Sequence, residues 1–132
     1  MILLDTHVWV WWLSNPDKLS PLARKTIKDA AKNRAIYISS ISAWEVALLA
    51  LKGRLTFTMD ARDWIVRSEA LPFFHFVPID NAIAIQSVRL PEPFHKDPAD
   101  RIIVATARTM GMPIVSSDGK ILKYSHVKTI WK

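Results

Sequence analysis

The chain has 132 residues, half of them hydrophobic, with no cysteine and a formal net charge of +6 at pH 7. A chain of this length and apolar content can bury a core, so we expect one domain over residues 1–132, and the missing thiols exclude disulfide bonds, thiolate metal sites and cysteine nucleophiles. The positive charge favours phosphate-rich partners such as nucleic acid, or an acidic protein.

Five short apolar runs, rich in branched or aromatic residues, predict β-strands. They cover residues 2–4, 35–38, 74–77, 113–116 and 127–130. Helix-length segments separate them, and Ser20 followed by Pro21 is typical of a helix start. Helices are expected over residues 21–32, 42–53, 60–70, 81–89 and 97–110. Because the strands are apolar throughout and alternate with helices, we predict an α/β fold, a three-layer α/β/α sandwich with a mostly parallel central sheet.

The amino terminus and the apolar runs argue against a membrane segment. Residues 1–5 lack a basic leader region, and the run from Val8 to Leu13 is far shorter than the roughly 20 residues that span a bilayer. We therefore expect a soluble, cytoplasmic protein with no membrane partner.

Two acids follow apolar strands. Asp5 ends the first predicted strand, and Asp118 follows the strand over residues 113–116. In open α/β sheets ligands collect at the carboxyl ends of the strands, so acids at these ends are candidates for a site. Each acid could instead cap the helix or turn that follows it. Both interpretations stay open on position alone.

Glu45 lies in a predicted helix that is apolar on nearly all sides. It is the one charged residue between positions 43 and 51. A helix of this kind is expected to be buried, and an ionised carboxylate there needs a cation or another partner. The alternative is a capping box, in which Glu45 would reach back to the backbone amide of Ser42.

Two further acids belong to the start of the last long predicted helix. On a helical projection Asp100 falls among Ile103, Val104 and Ala107, on the inward, apolar side. Asp97 directly precedes a proline, which predicts that it is the N-cap of this helix. Asp100 could also act from the first turn through a favourable interaction with the helix dipole.

Taken together, these acids favour a metal site. A structural domain rarely needs several unpaired carboxylates near one edge of its sheet. A site built from oxygen ligands alone suits hard cations such as Mg²⁺ or Mn²⁺ rather than Zn²⁺. The candidate metal ligands are Asp5, Glu45, Asp100 and Asp118, and Asp97 is a possible accessory acid.

Four blocks of sequence resemble those of a known family. They are residues 3–7 (LLDTH), 39–46 (SSISAWEV), 95–107 (HKDPADRIIVATA) and 114–118 (IVSSD). In this order and spacing the blocks are similar to those of PIN domains, specifically the toxin subunit of VapBC-type toxin–antitoxin pairs. The resemblance implies that Asp5, Glu45, Asp100 and Asp118 are the metal-binding, catalytic acids, with Thr6 and Ser116 as polar neighbours. His7 departs from the family pattern, in which asparagine or serine is common.

The resemblance also implies an activity and partners. It implies a ribonuclease that uses Mg²⁺ or Mn²⁺ to hydrolyse RNA phosphodiester bonds, a homodimer, and an antitoxin protein that covers the acids. Basic residues near the acids are predicted to contact RNA: Lys96, Arg101 and Lys120. If residues 7–14 are helical, Trp11 points away from the apolar stripe of that helix and is a candidate contact for another protein.

Three other functions remain open from the sequence. A non-catalytic RNA- or protein-binding module on the same fold would tolerate loss of the acids, yet all four positions carry one. A phospho-accepting receiver domain would need a pair of carboxylates at the first strand, where Asp5 stands alone. A metal-dependent phosphatase on a similar scaffold would act on small phosphomonoesters rather than on RNA.

Overall fold

Five parallel strands form the central sheet of the computed structural model, which describes residues 1–132. The strands are β1 (Ile2–Leu4), β2 (Ile36–Ser39), β3 (Phe74–Val77), β4 (Ile114–Val115) and β5 (Thr129–Ile130). Their order across the sheet is β3-β2-β1-β4-β5, and every neighbouring pair is parallel. The chain therefore leaves β1 toward β2 on one side and later returns to β4 on the other. The crevice beyond the carboxyl ends of β1 and β4 is the topological switch point, where ligands bind in such sheets.

Seven α-helices connect or follow the strands. They are α1 (Thr6–Ser14), α2 (Pro21–Lys32), α3 (Ser40–Leu51), α4 (Ala61–Glu69), α5 (Asn81–Val88), α6 (Pro98–Met110) and α7 (Gly119–Leu122). At the start of each one, an aspartate or serine side chain accepts a hydrogen bond from a nearby backbone N–H. These caps explain where the helices begin, because they satisfy N–H groups that have no partner within the helix. None of the helices has the length and hydropathy that crossing a membrane requires.

Each face of the sheet has its own apolar core. Along β1, Ile2 and Leu4 point to one face and Leu3 points to the other. Helices α1, α2 and α4 cover the first face, α5, α6 and α7 cover the second, and residues of α3 pack against both cores. The predicted three-layer α/β/α sandwich is confirmed, and its sheet is parallel throughout. Burial on both faces is the reason why the central strands β1 and β4 are apolar at every position.

The predicted elements are present, with shifted ends. β1 and β3 have the predicted bounds, whereas β4 and β5 are each two residues long. Helix α3 begins at Ser40 and is capped by Ser39, two residues before the predicted start at Ser42. The sequence does not predict α7, because four residues carry too little periodicity to identify a helix.

Leu4 and Leu51 provide a matched test of the core. Leu4, on the central strand, has no exposed surface, whereas Leu51, at the end of α3, is 84% exposed. We expect Leu4→Ala to lower the free energy of unfolding by about 2–5 kcal/mol, because it removes buried surface and leaves a cavity. Leu51→Ala should change it by no more than about 0.5 kcal/mol. Urea unfolding followed by tryptophan fluorescence measures both, and equal losses would contradict this description of the core.

Candidate active site

The five acids singled out in the sequence line one cavity at the carboxyl end of the sheet. The cavity has a volume of about 290 Å³, and its acidic residues are Asp5, Glu45, Asp97, Asp100 and Asp118. Asp5 follows β1 and Asp118 follows β4, so the pairing of these strands brings the two acids to the same crevice. Glu45 comes from α3, and the remaining two come from the start of α6. Asp5 and Asp118 are 113 positions apart in the sequence, yet they line the same cavity.

Asp5 is buried and held by hydrogen bonds at both carboxylate oxygens. Its Oδ1 accepts a bond from the backbone N–H of Thr6 at 2.8 Å, and its Oδ2 accepts one from the hydroxyl of Ser116 at 2.7 Å. The Ser116 hydroxyl oxygen also accepts a bond from the backbone N–H of Asp118 at 3.0 Å. Ser116 therefore links the side chain of Asp5 to the backbone of Asp118.

Thr6 positions Glu45. The Thr6 hydroxyl donates a hydrogen bond to Glu45 Oε1 at 2.5 Å, and the Ser42 hydroxyl oxygen lies 2.8 Å from the same Thr6 oxygen. Ser42 lies inside α3, which is capped by Ser39. The capping box that would pair Ser42 with Glu45 therefore does not form, and the Glu45 carboxylate lines the cavity instead.

Burial and mutual repulsion change the proton affinity of the acids. Burial raises the pKa of Asp100 from 3.8 to about 7, and the charges of the other four acids in the cavity add to the rise. Burial also raises the pKa of Glu45, with Asp5 and Asp97 adding to the rise and the hydrogen bond from Thr6 opposing it. None of the five acids forms an ion pair with a lysine or arginine. The cavity therefore carries negative charge that no lysine or arginine neutralises by direct contact.

Two histidines contact the acids. His7 Nδ1 lies 3.6 Å from Asp5 Oδ2, and His7 Nε2 accepts a hydrogen bond from the backbone N–H of Ser117 at 3.2 Å. The hydroxyl oxygen of Ser117 lies 2.8 Å from the same His7 nitrogen, so Ser117 contacts this ring through both its backbone and its side chain. His95 Nε2 lies 2.9 Å from Asp100 Oδ2 without the alignment of a hydrogen bond.

The sequence alone does not assign either histidine to the site. Both His7 and His95 fall within the blocks that resemble the PIN family, close to Asp5 and to Asp100, and this closeness is the signal that points to them. His7 lies in the first turn of α1 and bonds to Ser117 after β4, and residue spacing does not reveal this long-range contact.

The basic residues predicted to contact RNA differ in what they contact. Lys96 and Lys120 are exposed, and each lies within two residues of a cavity acid. The Arg101 side chain is largely buried and uses most of its donors within the protein. Its guanidinium bonds to the backbone carbonyls of Ser87, Phe94 and His95 and to the carboxylate of Glu92. Arg101 thus holds the segment before α6 in place, whereas Lys96 and Lys120 are exposed.

The cavity also has apolar lining residues. They are Val10, Trp11, Leu49 and Leu55, so Trp11 borders the same cavity as the acids. The more exposed tryptophan is Trp44, at 57%, on the outward side of α3. The apolar pattern of α3 predicts burial all round, and this is wrong for the outward side, because no further layer of the protein lies above it.

The donor set fits a hard divalent cation in chemistry and in charge. Carboxylate oxygens are the ligands that Mg²⁺ and Mn²⁺ prefer, and a cation would relieve the repulsion that raises the pKa of Asp100. In the conformation described, no three aspartate, glutamate or histidine side chains are arranged to hold one ion together. Binding an ion would therefore require the acidic side chains to move toward it.

Asp100→Asn is expected to stabilise the metal-free protein more at pH 8 than at pH 5. The folded protein keeps the Asp100 proton up to about pH 7, whereas the unfolded chain releases it near 3.8, so folding becomes less favourable as the pH rises through this window. Asparagine cannot ionise and removes that loss.

Thermal unfolding in chelator measures this effect. The gain in the midpoint of unfolding should be at least about 3 °C larger at pH 8 than at pH 5. This shift corresponds to roughly 1 kcal/mol in a domain of this size, a free energy reduced to allow for the partial solvent exposure of the site. Asp63→Asn, which removes an exposed acid of α4, is the control and should show little dependence on pH. An equal gain at both pH values would refute the raised pKa.

Comparison with known proteins finds relatives along nearly the whole chain. The family model described as "PIN domain" matches residues 2–127. Ribonuclease VapC22 from Mycobacterium tuberculosis (strain ATCC 25618 / H37Rv) is 33% identical over 132 residues, which cover 98% of this chain and 98% of that protein.

Solved structures share the architecture. A structure of VapBC2 from Rickettsia felis, bound to a DNA fragment from its promoter, matches with a TM-score of 0.72 at 18% identity and covers 100% of both chains. A toxin–antitoxin complex from Klebsiella pneumoniae matches with a TM-score of 0.66 at 22% identity, over 98% of this chain and 96% of that one. At such identities the likeness concerns the fold alone. From the family model and the 33% identical relative, we conclude that this chain belongs to the PIN domain family.

Proposed function

We propose that this protein, as one PIN-like domain over residues 1–132, is a metal-dependent ribonuclease that acts as the toxin of a toxin–antitoxin pair. The observation that carries the proposal is the convergence of five acids, none paired with a lysine or arginine, in one cavity at the switch point of the sheet. A relative at 33% identity that is named a ribonuclease supports the same activity.

The metal ion would be held by four of these acids: Asp5, Glu45, Asp100 and Asp118. When bound, Mg²⁺ or Mn²⁺ supplies positive charge to the scissile phosphate and activates the attacking water. Asp97 has a different role, because its carboxylate accepts hydrogen bonds from the backbone N–H groups of Ala99 and Asp100 at the start of α6. It orients the first turn of the helix that carries Asp100.

Hydrogen bonds within the protein orient the acids before the substrate arrives. Thr6 and Ser116 each donate to one oxygen of Asp5, and each oxygen keeps a second lone pair for a cation. Thr6 also donates to Glu45 through its hydroxyl. Neighbours of this kind fix the direction of ligand lone pairs, and their loss typically weakens metal binding or activity about 10- to 100-fold.

The charge distribution supports RNA as the substrate. The chain carries a net charge of +6, although the cavity itself is acidic. Lys96 and Lys120 are exposed beside the acids and would neutralise phosphates on either side of the bond that is cut. Binding of this kind weakens steeply as salt is added, because it releases counterions from the RNA.

Exposed apolar side chains support two protein partners, a second copy of this chain and an antitoxin. Trp44 and Leu51 of α3 are 57% and 84% exposed, and Val88 at the end of α5 is 75% exposed. Large apolar side chains at a surface are typical of protein interfaces. The structural neighbour described as a toxin–antitoxin complex supports the antitoxin partner. We expect this assembly, and the cleavage of RNA, in the cytoplasm.

Asp5→Asn is expected to abolish metal-dependent cleavage of RNA and to leave the fold unchanged. It removes one ligand charge with little change of volume, and we expect the rate to fall by roughly 100-fold or more, beyond the loss from removing a neighbour of a ligand. The assay incubates labelled total RNA with purified protein in Mg²⁺, in Mn²⁺ and in chelator. Wild-type protein should produce discrete fragments in either metal and none in chelator.

Asp63→Asn is the matched control for this assay. It makes the same chemical change at an exposed position of α4, outside the cavity, and should cleave like wild type. Circular dichroism verifies that both variants are folded. Cleavage that survives Asp5→Asn would remove Asp5 from the site, and a folded wild-type protein that never cuts RNA would favour the non-catalytic binding module.

A further inference from the structure

The cavity is lined by residues of two opposite kinds. Five of them are acids, and four are apolar: Val10, Trp11, Leu49 and Leu55. Holding a cation requires the carboxylates alone, so the apolar residues have no part in the function proposed above. Apolar residues in the same cavity as a proposed phosphate site indicate a second contact with the same ligand.

Contacts with three neighbouring side chains hold the Trp11 ring in place. The His7 ring meets it edge-on with 4.8 Å between centroids, the Trp131 ring lies at 6.1 Å, and the Lys18 ammonium lies 5.6 Å from its centroid. His7 is itself held by Ser117 and lies against Asp5. The indole therefore has a defined position relative to the acids. A partly exposed aromatic ring held in this way loses little conformational freedom when a ligand binds.

A nucleotide has the same two-part character as the cavity. Its phosphate is anionic, and its base is a flat, largely apolar ring that lies within one nucleotide of the phosphate. Proteins bind single-stranded bases by stacking them on aromatic side chains, and the contact accepts any base because every base has a π-face. Lys18 adds a positive charge against the same ring, which suits a chain of phosphates.

We propose that Trp11 stacks against a nucleobase adjacent to the scissile phosphate. The proposal rests on the ribonuclease function proposed above. Bases inside a double helix are already stacked on one another, so only an unpaired base can occupy the cavity. A segment of a partner protein packed on Trp11 is the competing occupant, and the experiment separates the two.

The experiment is a cycle of substitutions in the protein and in the RNA. Cleavage of a random-sequence single-stranded RNA pool, read by sequencing the new ends, identifies a preferred substrate. In that substrate each nucleotide around the cut is replaced in turn by an abasic one. The value of kcat/KM is measured for wild type, Trp11→Leu, Trp11→Phe and Val66→Ala, where Val66 is an exposed apolar residue of α4 outside the cavity and serves as the control.

If Trp11 stacks on a base, removing the indole and removing the base should each lower kcat/KM, and the two losses should not add, because each change breaks the same contact. Trp11→Leu should lower kcat/KM by about 5- to 150-fold, the range found for removing the side chain under one stacked base. Trp11→Phe should lose less, because an aromatic ring remains. One abasic position should lower kcat/KM for wild type by a similar factor and for Trp11→Leu hardly at all. Val66→Ala should stay within about twofold of wild type on every substrate.

Each contrary outcome has a different meaning. Equal abasic losses in wild type and Trp11→Leu at every position would overturn the stacking and leave the ribonuclease function standing. Normal cleavage by Trp11→Leu, with binding of a partner protein lost, would overturn it in favour of a protein contact. A wild-type protein that neither cuts nor binds RNA in Mg²⁺ or Mn²⁺ would overturn both proposals. If Trp11→Leu does not fold, Trp11→Phe takes its place in the same comparison. Stacking then again requires that the abasic nucleotide at one position of the RNA lowers kcat/KM less for the variant than for wild type.

Discussion

The parallel pairing of β1 with β4 is the contact on which the site depends. Leu4 is in register with Val115, and the backbone N–H of Asp5 bonds to the carbonyl of Val115 at 3.0 Å. One residue further along β4, Ser116 donates to the Asp5 carboxylate and holds the backbone of Asp118. A shift of one residue in this pairing would turn the side chains of β4 to the opposite face, because successive side chains alternate. The register of two short strands therefore decides whether the acids meet.

Gathering five carboxylates in one cavity opposes folding, and the rest of the chain offsets that cost. Burial and repulsion hold Asp100 in its protonated form to about pH 7, which shows how unfavourable a further negative charge is at this position. Apolar cores on both faces of the sheet and a capped start for each of the seven helices supply the opposing stability. A cation that binds the folded chain alone would stabilise it further by mass action. The acids that oppose folding are thus the residues proposed to bind the cation.

The tryptophans have different surroundings, according to their positions in the fold. Trp9 is fully buried and packs against Trp64 in the core. Trp11, two residues later on the same helix, borders the acidic cavity, while Trp44 is exposed on α3. Charge is also unevenly placed, because the chain is basic overall whereas no lysine or arginine lines the acidic cavity. This placement is compatible with both parts of the proposed function, the long-range attraction of RNA and the local binding of a cation.

The sequence by itself determined the fold class, the two strands β1 and β3, and the acids of the site, because local periodicity, caps and motif spacing depend on neighbouring residues. Asp100 points inward as the helical period predicts. Only the tertiary structure decided between the capping box and the cavity for Glu45, since its partner Thr6 lies 39 residues away. The contacts of His7 with Ser117 and of Trp11 with Trp131 were likewise decided there. Such contacts arise from strand order, which brings together residues distant in sequence, and no local pattern encodes them.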